Sequence, residues 1–257
     1  MGFGLGYRRR MRIAVLADVH GNIDALHAVL ADLKGQSPDL TVNLGDCLSG
    51  PLWPAETADL LMDLGWPTVR GNHDRWLTAP PDPVGPWEAD TLPHLTGAHH
   101  VWLAALPATR IVDDAFLCHA TPRSDTTYWL HELRPDGSFT ETPPDRIARQ
   151  AEGIAQSLIL CGHTHIARAV RLGDGRMVVN PGSVGCPGFE DDTPVYHRAE
   201  AGSPHAAYAV LDLVAQGWAV CFRRVPYDTR RAAGRAAGRN RPDWAAVLAT
   251  GFVTLRP

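Results

Sequence analysis

The sequence predicts an α/β fold of two stacked mixed β-sheets flanked by helices. Two observations carry the prediction. The first third alternates apolar, strand-like runs with amphipathic stretches, the pattern of parallel strands joined by helical crossovers. After Arg110 short strand-like runs follow one another with turns between, so the second half is β-rich. Taken in order, residues 13–17 read as the opening strand. Asn22 is placed to cap a helix that runs to about Leu33, with Ile23, Leu26, Leu30 and Leu33 on one face and Gly35 as its stop. Residues 40–44 form the second strand. Leu60, Leu61 and Leu64 mark a second helix, which Gly65 ends. A third strand covers residues 67–69. A Pro-rich stretch, 80–93, precedes a helix expected over 94–106. Strands follow at 115–117 and 158–160, then a hairpin of 168–172 and 177–180 turning at Asp174-Gly175. A last hairpin joins 208–213 to 218–222 around Gly217.

The chain has 257 residues, 45% of them hydrophobic, enough for one sizeable domain with a closed core. Its formal charge of -4 gives no global basic field, so no stable nucleic-acid partner is expected. No apolar run approaches the ~18 residues that span a bilayer, so no membrane partner is expected either. The start, residues 1–10, has three Arg and no apolar core. It reads as a disordered leader rather than a secretory signal, with Met11 as an alternative start. The domain is expected over 11–225, with a helical extension over 226–257 packed on it. Five unpatterned Cys point to a reducing, cytoplasmic compartment.

Five short clusters of metal-ligating residues sit just after the strand-like runs. They are Asp18-Val19-His20, Gly45-Asp46, Gly71-Asn72-His73-Asp74, Cys118-His119 and Gly162-His163-Thr164-His165. In sheet proteins with helical crossovers, ligands gather at the carboxyl ends of the strands. Imidazoles mixed with carboxylate and amide oxygens suit a catalytic pair of transition-metal ions better than a structural zinc. Cys47, Cys118 and Cys161 form no paired ligand spacing and read as small residues in or beside buried strands.

The ordered set DxH, GD, GNHD, H and GHTH resembles the calcineurin-like metallophosphoesterase family. Asn180-Pro181-Gly182-Ser183 is similar to the turn after the last metal motif in its small stand-alone bacterial and archaeal members. The likeness runs from about Arg12 to Val225. It implies a four-layer αββα sandwich and two divalent transition-metal ions, manganese favoured over iron, nickel or zinc. By resemblance, Asp18, His20 and His165 would hold one ion, and Asn72, His119 and His163 the other. Asp46 would bridge them, and a hydroxide shared between the ions would attack the phosphorus. His73 would act on the leaving group without binding metal, as an acid or by stabilising charge, and Asp74 is placed to orient it.

One departure narrows the resemblance. The protein Ser/Thr phosphatases and diadenosine tetraphosphate hydrolases continue GD into GDxxDRG, whose Arg grips phosphate. Here the run is Gly45-Asp46-Cys47-Leu48-Ser49-Gly50-Pro51, with no Arg. The resemblance therefore implies the stand-alone branch, with a small phosphoester substrate. A phosphodiesterase on nucleotide-like substrates stands first. A phosphomonoesterase on small metabolites and a non-catalytic scaffold stand as alternatives. Trp76 is placed to flank a substrate, whereas Trp53, Trp87, Trp102, Trp129 and Trp218 read as core or rim. Residues 185–204, longer than most connections, are expected to border the site. Seven Arg over 223–241 read as a solvated helical face.

Overall fold

Residue alternation in the strands decides the layering. In the computed structural model, which describes residues 11–254, β1 (Arg12–Leu16) turns Ile13 and Val15 to one side and Ala14 and Leu16 to the other, all buried. The expected leader, residues 1–10, lies outside the described residues. After β1 come α1 (Ile23–Gln36), β2 (Leu40–Asn43), α2 (Pro54–Leu64), α3 (Asn72–Thr78), α4 (Pro86–Thr91), a 3-10 turn (Leu92–His94) and α5 (Gly97–Ala105). The β-rich half follows as β3 (Thr109–Val112), β4 (Ala115–Cys118), β5 (His131–Leu133), β6 (Phe139–Glu141), α6 (Pro144–Gln150), β7 (Leu158–Leu160), β8 (Arg168–Arg171) and β9 (Met177–Asn180). The chain closes with β10 (Gly188–Asp191), β11 (His197–Glu200), β12 (Ala206–Val214), β13 (Gly217–Val225), α7 (Thr229–Gly238) and α8 (Pro242–Thr250).

Both main sheets are mixed. The first has the order β13-β12-β1-β2, with β1 and β2 parallel. The second has the order β3-β4-β7-β9-β8, with β4, β7 and β9 parallel. Ile13, Val15, Val42, Leu117, Leu158, Leu160 and Leu211 meet between the sheets. Ala14, Leu16 and Tyr208 face Leu26, Val29 and Leu61 of α1 and α2 on the outer side of the first sheet. Ile159 and Val178 face Ile147 of α6 on the outer side of the second. The result is the helix–sheet–sheet–helix stacking expected of the sequence. The C-terminal helices add a further cluster, in which Ala232, Ala236, Trp244 and Leu248 cover Ile23, Leu52 and Trp53.

Four local expectations are corrected. Gly35 does not stop α1; the helix runs to Gln36 and ends on Ser37, at φ 48°. The run 67–69 is no strand but a single parallel bridge between Thr68 and Asn43. The helix expected over 94–106 starts only at Gly97, where the Thr96 side chain accepts from the His99 amide. The segment 185–204 is not a plain loop but the β10–β11 ribbon.

The cap on α1 ties three parts of the chain together. Asn22 is fully buried. Its Oδ1 accepts from Ala25 N at 3.1 Å, and its Nδ2 donates to Gly185 O at 2.9 Å and Tyr227 Oη at 3.0 Å. Asn22→Ala removes the cap and strands a buried carbonyl, so a loss of about 2 kcal/mol is expected in urea unfolding with unchanged m-value. A loss below about 0.5 kcal/mol would contradict this role.

Candidate metal centre

The parallel strands end side by side, and the turns that leave them carry the chemistry. Asp18 and His20 follow β1, Asp46 follows β2, His119 follows β4, and His163 and His165 follow β7; Asn72 opens α3. Five of the seven predicted ligands take the left-handed backbone conformation: Asp18 (φ 55°), His20 (49°), Asp46 (53°), His163 (72°) and His165 (59°). Each such residue costs about 1–2 kcal/mol, and it persists only where its surroundings over-determine it. The turns restrain one another here. Asp18 N donates to Gly45 O and His20 N to Asp46 O, both at 3.0 Å, and Gly162 N donates to His119 O at 2.6 Å. Asn180 Nδ2 holds the GHTH turn through Gly162 O and Thr164 Oγ1, and Ser183 Oγ donates to Asp18 O. The GD and GNHD turns approach so closely that a Cβ on Gly71 would fall 2.0 Å from Asp46 Oδ1.

Backbone carbonyls fix the imidazole tautomers. A carbonyl only accepts, so a ring nitrogen against one must carry the hydrogen. His20 Nδ1 faces Ser49 O at 3.0 Å, His119 Nδ1 faces Leu44 O at 2.8 Å and His165 Nδ1 faces Cys186 O at 2.6 Å. Each neutral ring therefore turns a bare Nε2 lone pair inward. His163 is reversed: its Nε2 faces Thr126 O at 3.1 Å, which leaves Nδ1 as the inward atom. Tyr128 stacks on that ring at 5.0 Å and donates its hydroxyl to His197 Nε2 at 2.8 Å.

The inward atoms form two groups. Asp18, His20 and His165 make one; Asp46, His119 and His163 make the other, and the ligand atoms within each lie within 4.8 Å of one another. Asn72 Oδ1 joins the second group, 3.0 Å from His119 Nε2. Asp46 Oδ2 lies between the two, 3.2 Å from His119 Nε2 and 4.0 Å from His20 Nε2. The structure thus brings together all seven residues that the resemblance nominated.

These residues fit metal ions on a structural criterion. His20 Nε2 and His165 Nε2, both lone-pair bearers, face each other at 3.2 Å. Asp18 Oδ1 is buried with no hydrogen-bond partner. Something positive belongs among these acceptors, and for most of them it is not a proton. Burial pushes His20 and His163 down to about 3 and His165 well below its ordinary value. Asp18 and His119 are the exceptions: burial pushes the Asp18 carboxyl up to about 8 and so favours its protonated form. In His119 burial opposes the charge, but Asp46 beside it outweighs that and lifts it to about 10. The surrounding imidazoles, His119 foremost, hold Asp46 well below the usual carboxylate range despite its burial. Buried carboxylates and neutral imidazoles without donors make a site for cations. The buried thiols of Cys47, Cys118 and Cys161 sit in the hydrophobic clusters and take no part.

His73 stands beside this cluster: its amide donates to Asp46 Oδ1 at 3.0 Å, but its ring belongs to neither group. Its expected orienting partner is corrected. Asp74, at the third position of α3, spends its carboxylate on backbone amides: Oδ2 accepts from Asp46 N at 2.8 Å and Gly71 N at 3.0 Å, and Oδ1 from Cys47 N at 2.9 Å. It ties the GD turn to the GNHD turn. The carboxylate on His73 is Glu88, whose Oε1 lies 2.5 Å from Nδ1. Burial opposes charge on His73, yet Asp46 and Glu88 together raise its pKa. Trp87 stacks on the same ring at 4.9 Å and 12°, and Trp76 meets it edge-on at 4.9 Å. Neither Trp87 nor Glu88 has a motif to announce it. The available signal was Gly85-Pro86, a helix start inside the Pro-rich stretch.

A cavity of about 1250 Å³ opens over the cluster. Asp46, Asn72, His163 and His165 are in its floor. His73, Trp76, Trp87, Tyr128, the β10–β11 ribbon and Arg241 of the C-terminal segment line its walls. Arg241 departs from the reading of 223–241 as solvated, whereas Arg224, Arg230 and Arg231 are exposed as expected; Arg231 and Arg235 lie over the Trp53 ring at 4.2 and 4.8 Å.

The two carboxylates should separate experimentally. Asp74→Asn strands backbone amides and should cost about 2 kcal/mol. Glu88→Gln should cost less, but should remove the far-downfield Nδ1–H resonance of His73 in nitrogen-15 histidine spectra. Loss of that resonance in Asp74→Asn alone would return the orienting role to Asp74.

Comparison with known proteins bears on the family and the fold. Residues 11–202 match the model of the calcineurin-like phosphoesterase superfamily domain. A metallophosphoesterase structure from Sphaerobacter thermophilus superposes with a TM-score of 0.72 at 26% identity, covering 95% of this chain and 100% of that one. An uncharacterized protein of Methanocaldococcus jannaschii is 25% identical over 90% of this chain and 94% of its own. A probable metallophosphoesterase of Mycoplasma pneumoniae is 26% identical over 72% of this chain and 86% of its own. The chain belongs to the calcineurin-like phosphoesterase superfamily, a metal-dependent family, and shares the fold of its small stand-alone bacterial and archaeal members.

Proposed function

We propose that the protein is a phosphodiesterase that works with two divalent transition-metal ions on small, nucleotide-like diesters. The observation that carries the reading is the double cluster of inward-facing acceptors with Asp46 Oδ2 between its halves. Asp18, His20 and His165 would hold one ion, and Asn72, His119 and His163 the other. Such ions would neutralise phosphoryl oxygens and lower the pKa of water between them.

The chain's own residues supply the remainder. His73, hydrogen-bonded to Glu88 through Nδ1, keeps Nε2 for the cavity and a proton for a departing oxygen. Glu88 fixes the ring and favours its charged form, as carboxylates do for catalytic imidazoles. The cavity favours a diester over a monoester. Its volume lies above the usual ~300–1,000 Å³ of small-molecule sites, and it extends well past the acceptor cluster, leaving room for a substituent on each side of a phosphate. Trp76, Tyr128 and Phe189 line that space and suit a planar group. Glu190, Asp191 and Asp192 on the β10–β11 ribbon border it, so the ribbon is placed to set substrate choice. No helix among the described residues is long and apolar enough to cross a membrane.

Chelation with confirmed metal loss should abolish hydrolysis of bis(p-nitrophenyl) phosphate, and manganese should restore it better than magnesium, since imidazoles favour the softer ion. The diester should exceed p-nitrophenyl phosphate by about tenfold or more in kcat/KM, roughly 1.4 kcal/mol in transition-state binding. Undiminished turnover after metal removal would refute metal dependence. A preference for the monoester would make the protein a phosphomonoesterase, and no turnover of either would favour a scaffold.

A further inference from the structure

Helix α4 carries both groups that hold His73, Glu88 on its Nδ1 and Trp87 on its face. A helix of six residues has no stability of its own. Two sets of contacts fix it. On one side the Thr91 hydroxyl accepts from Gly50 N at 2.8 Å, beside the GD turn. On the other side the anchorage comes from the C-terminal segment, beyond the stretch that the family domain matches. Arg241 Nη1 donates to Asp90 Oδ2 at 2.5 Å, while its Nε and Nη2 hold Asp243 at 3.0 and 2.7 Å. Arg239 Nη1 reaches Asp90 O at 3.3 Å. Trp244 of α8 is buried and meets Trp87 edge-on at 4.7 Å. It fits there because residue 50 is Gly, whose φ is 131° and whose Cβ, if present, would lie 2.6 Å from the indole. A continuous stack thus runs from α8 through Trp244 and Trp87 to His73.

We propose that Trp244 and Arg241 are positioning residues for the hydrolytic site: the C-terminal helices clamp α4, and α4 clamps His73. The proposal rests on the reading of His73 as the group that acts on the leaving oxygen. The competing view is that α7 and α8 only cover the apolar surface of Ile23, Leu52 and Trp53. The two differ in one respect. A clamp acts through His73, whereas a cover acts through stability.

The test is a double-mutant cycle in the full-length, manganese-loaded protein, joined to nitrogen-15 histidine spectra. Trp244→Ala should lower kcat on bis(p-nitrophenyl) phosphate about tenfold, part of the 10²–10⁴-fold that a general acid contributes. KM should stay within about twofold and metal content should be unchanged. Trp244→Phe should recover most of the rate. In a His73→Ala background Trp244→Ala should add no further loss, the signature of two residues acting as one unit. The His73 Nδ1–H resonance should disappear or shift in Trp244→Ala. Should that variant fail to fold, Asp90→Ala cuts the Arg241 tether from the rim and should give the same pattern at about threefold. Independent, multiplicative losses, or an unmoved His73 resonance, would overturn the clamp. So would loss of metal, which would place the effect on His20, 6.1 Å from the Trp244 ring. If His73→Ala leaves the rate intact, the hydrolytic reading of His73 falls, while the resonance still decides whether the clamp exists.

Discussion

Lone pairs that face one another in a buried cluster are the constraint on which the rest of this molecule depends. His20 Nε2 meets His165 Nε2, and His119 Nε2 meets the oxygens of Asn72 and Asp46. The neutral rings of His20 and His165 commit their one N–H, at Nδ1, to a backbone oxygen and have none to donate inward. A folded protein does not gather acceptors in this way without a positive partner, because an unsatisfied buried polar group costs about 1–3 kcal/mol. Cations are the partner that fits both the ligand types and the burial.

Much of the architecture follows from keeping those lone pairs in place. Parallel strands put four turns on one edge, and the turns lock one another through short backbone bonds that hold five residues in left-handed conformations. Asp74 ties the GD turn to the GNHD turn at the point where Gly71 permits contact. Outside this frame, segments with little structure of their own supply the walls: α4 with Trp87 and Glu88, the β5–β6 ribbon, the β10–β11 ribbon and the C-terminal helices. The rigid part holds the ligands and the appended part shapes the space over them, the usual division between scaffold and specificity.

The candidate metal ligands were legible in the sequence because six of the seven lie within a few residues of a strand end, and Asn72 follows the bridge at Thr68, so local pattern and spatial position coincide. The two-sheet architecture was legible for a related reason: helix-period and strand-period stretches separate cleanly along the chain. Glu88 was not legible. It comes from a Pro-rich segment with no strand to aim it, and only tertiary packing brings it to His73. Asp74 misled because adjacency in sequence suggested contact with His73. Its place as the third residue of α3, after Gly71, carried the opposite message, since a carboxylate there reaches back to the amides that open the helix. Arg241 and Trp244 were hidden in the same way, one inside an Arg-rich stretch that looks solvated and the other in a segment that no motif marks.

The central claim is that the acceptor cluster is a two-ion site with Asp46 shared between the ions. Anomalous diffraction from manganese-loaded crystals, with metal content measured on the same protein, tests it most directly. Two ions per chain are expected, one against Asp18, His20 and His165, the other against Asn72, His119 and His163, with the Asp46 carboxylate on both. A single ion at full occupancy, or two ions with Asp46 bound to only one, would contradict it.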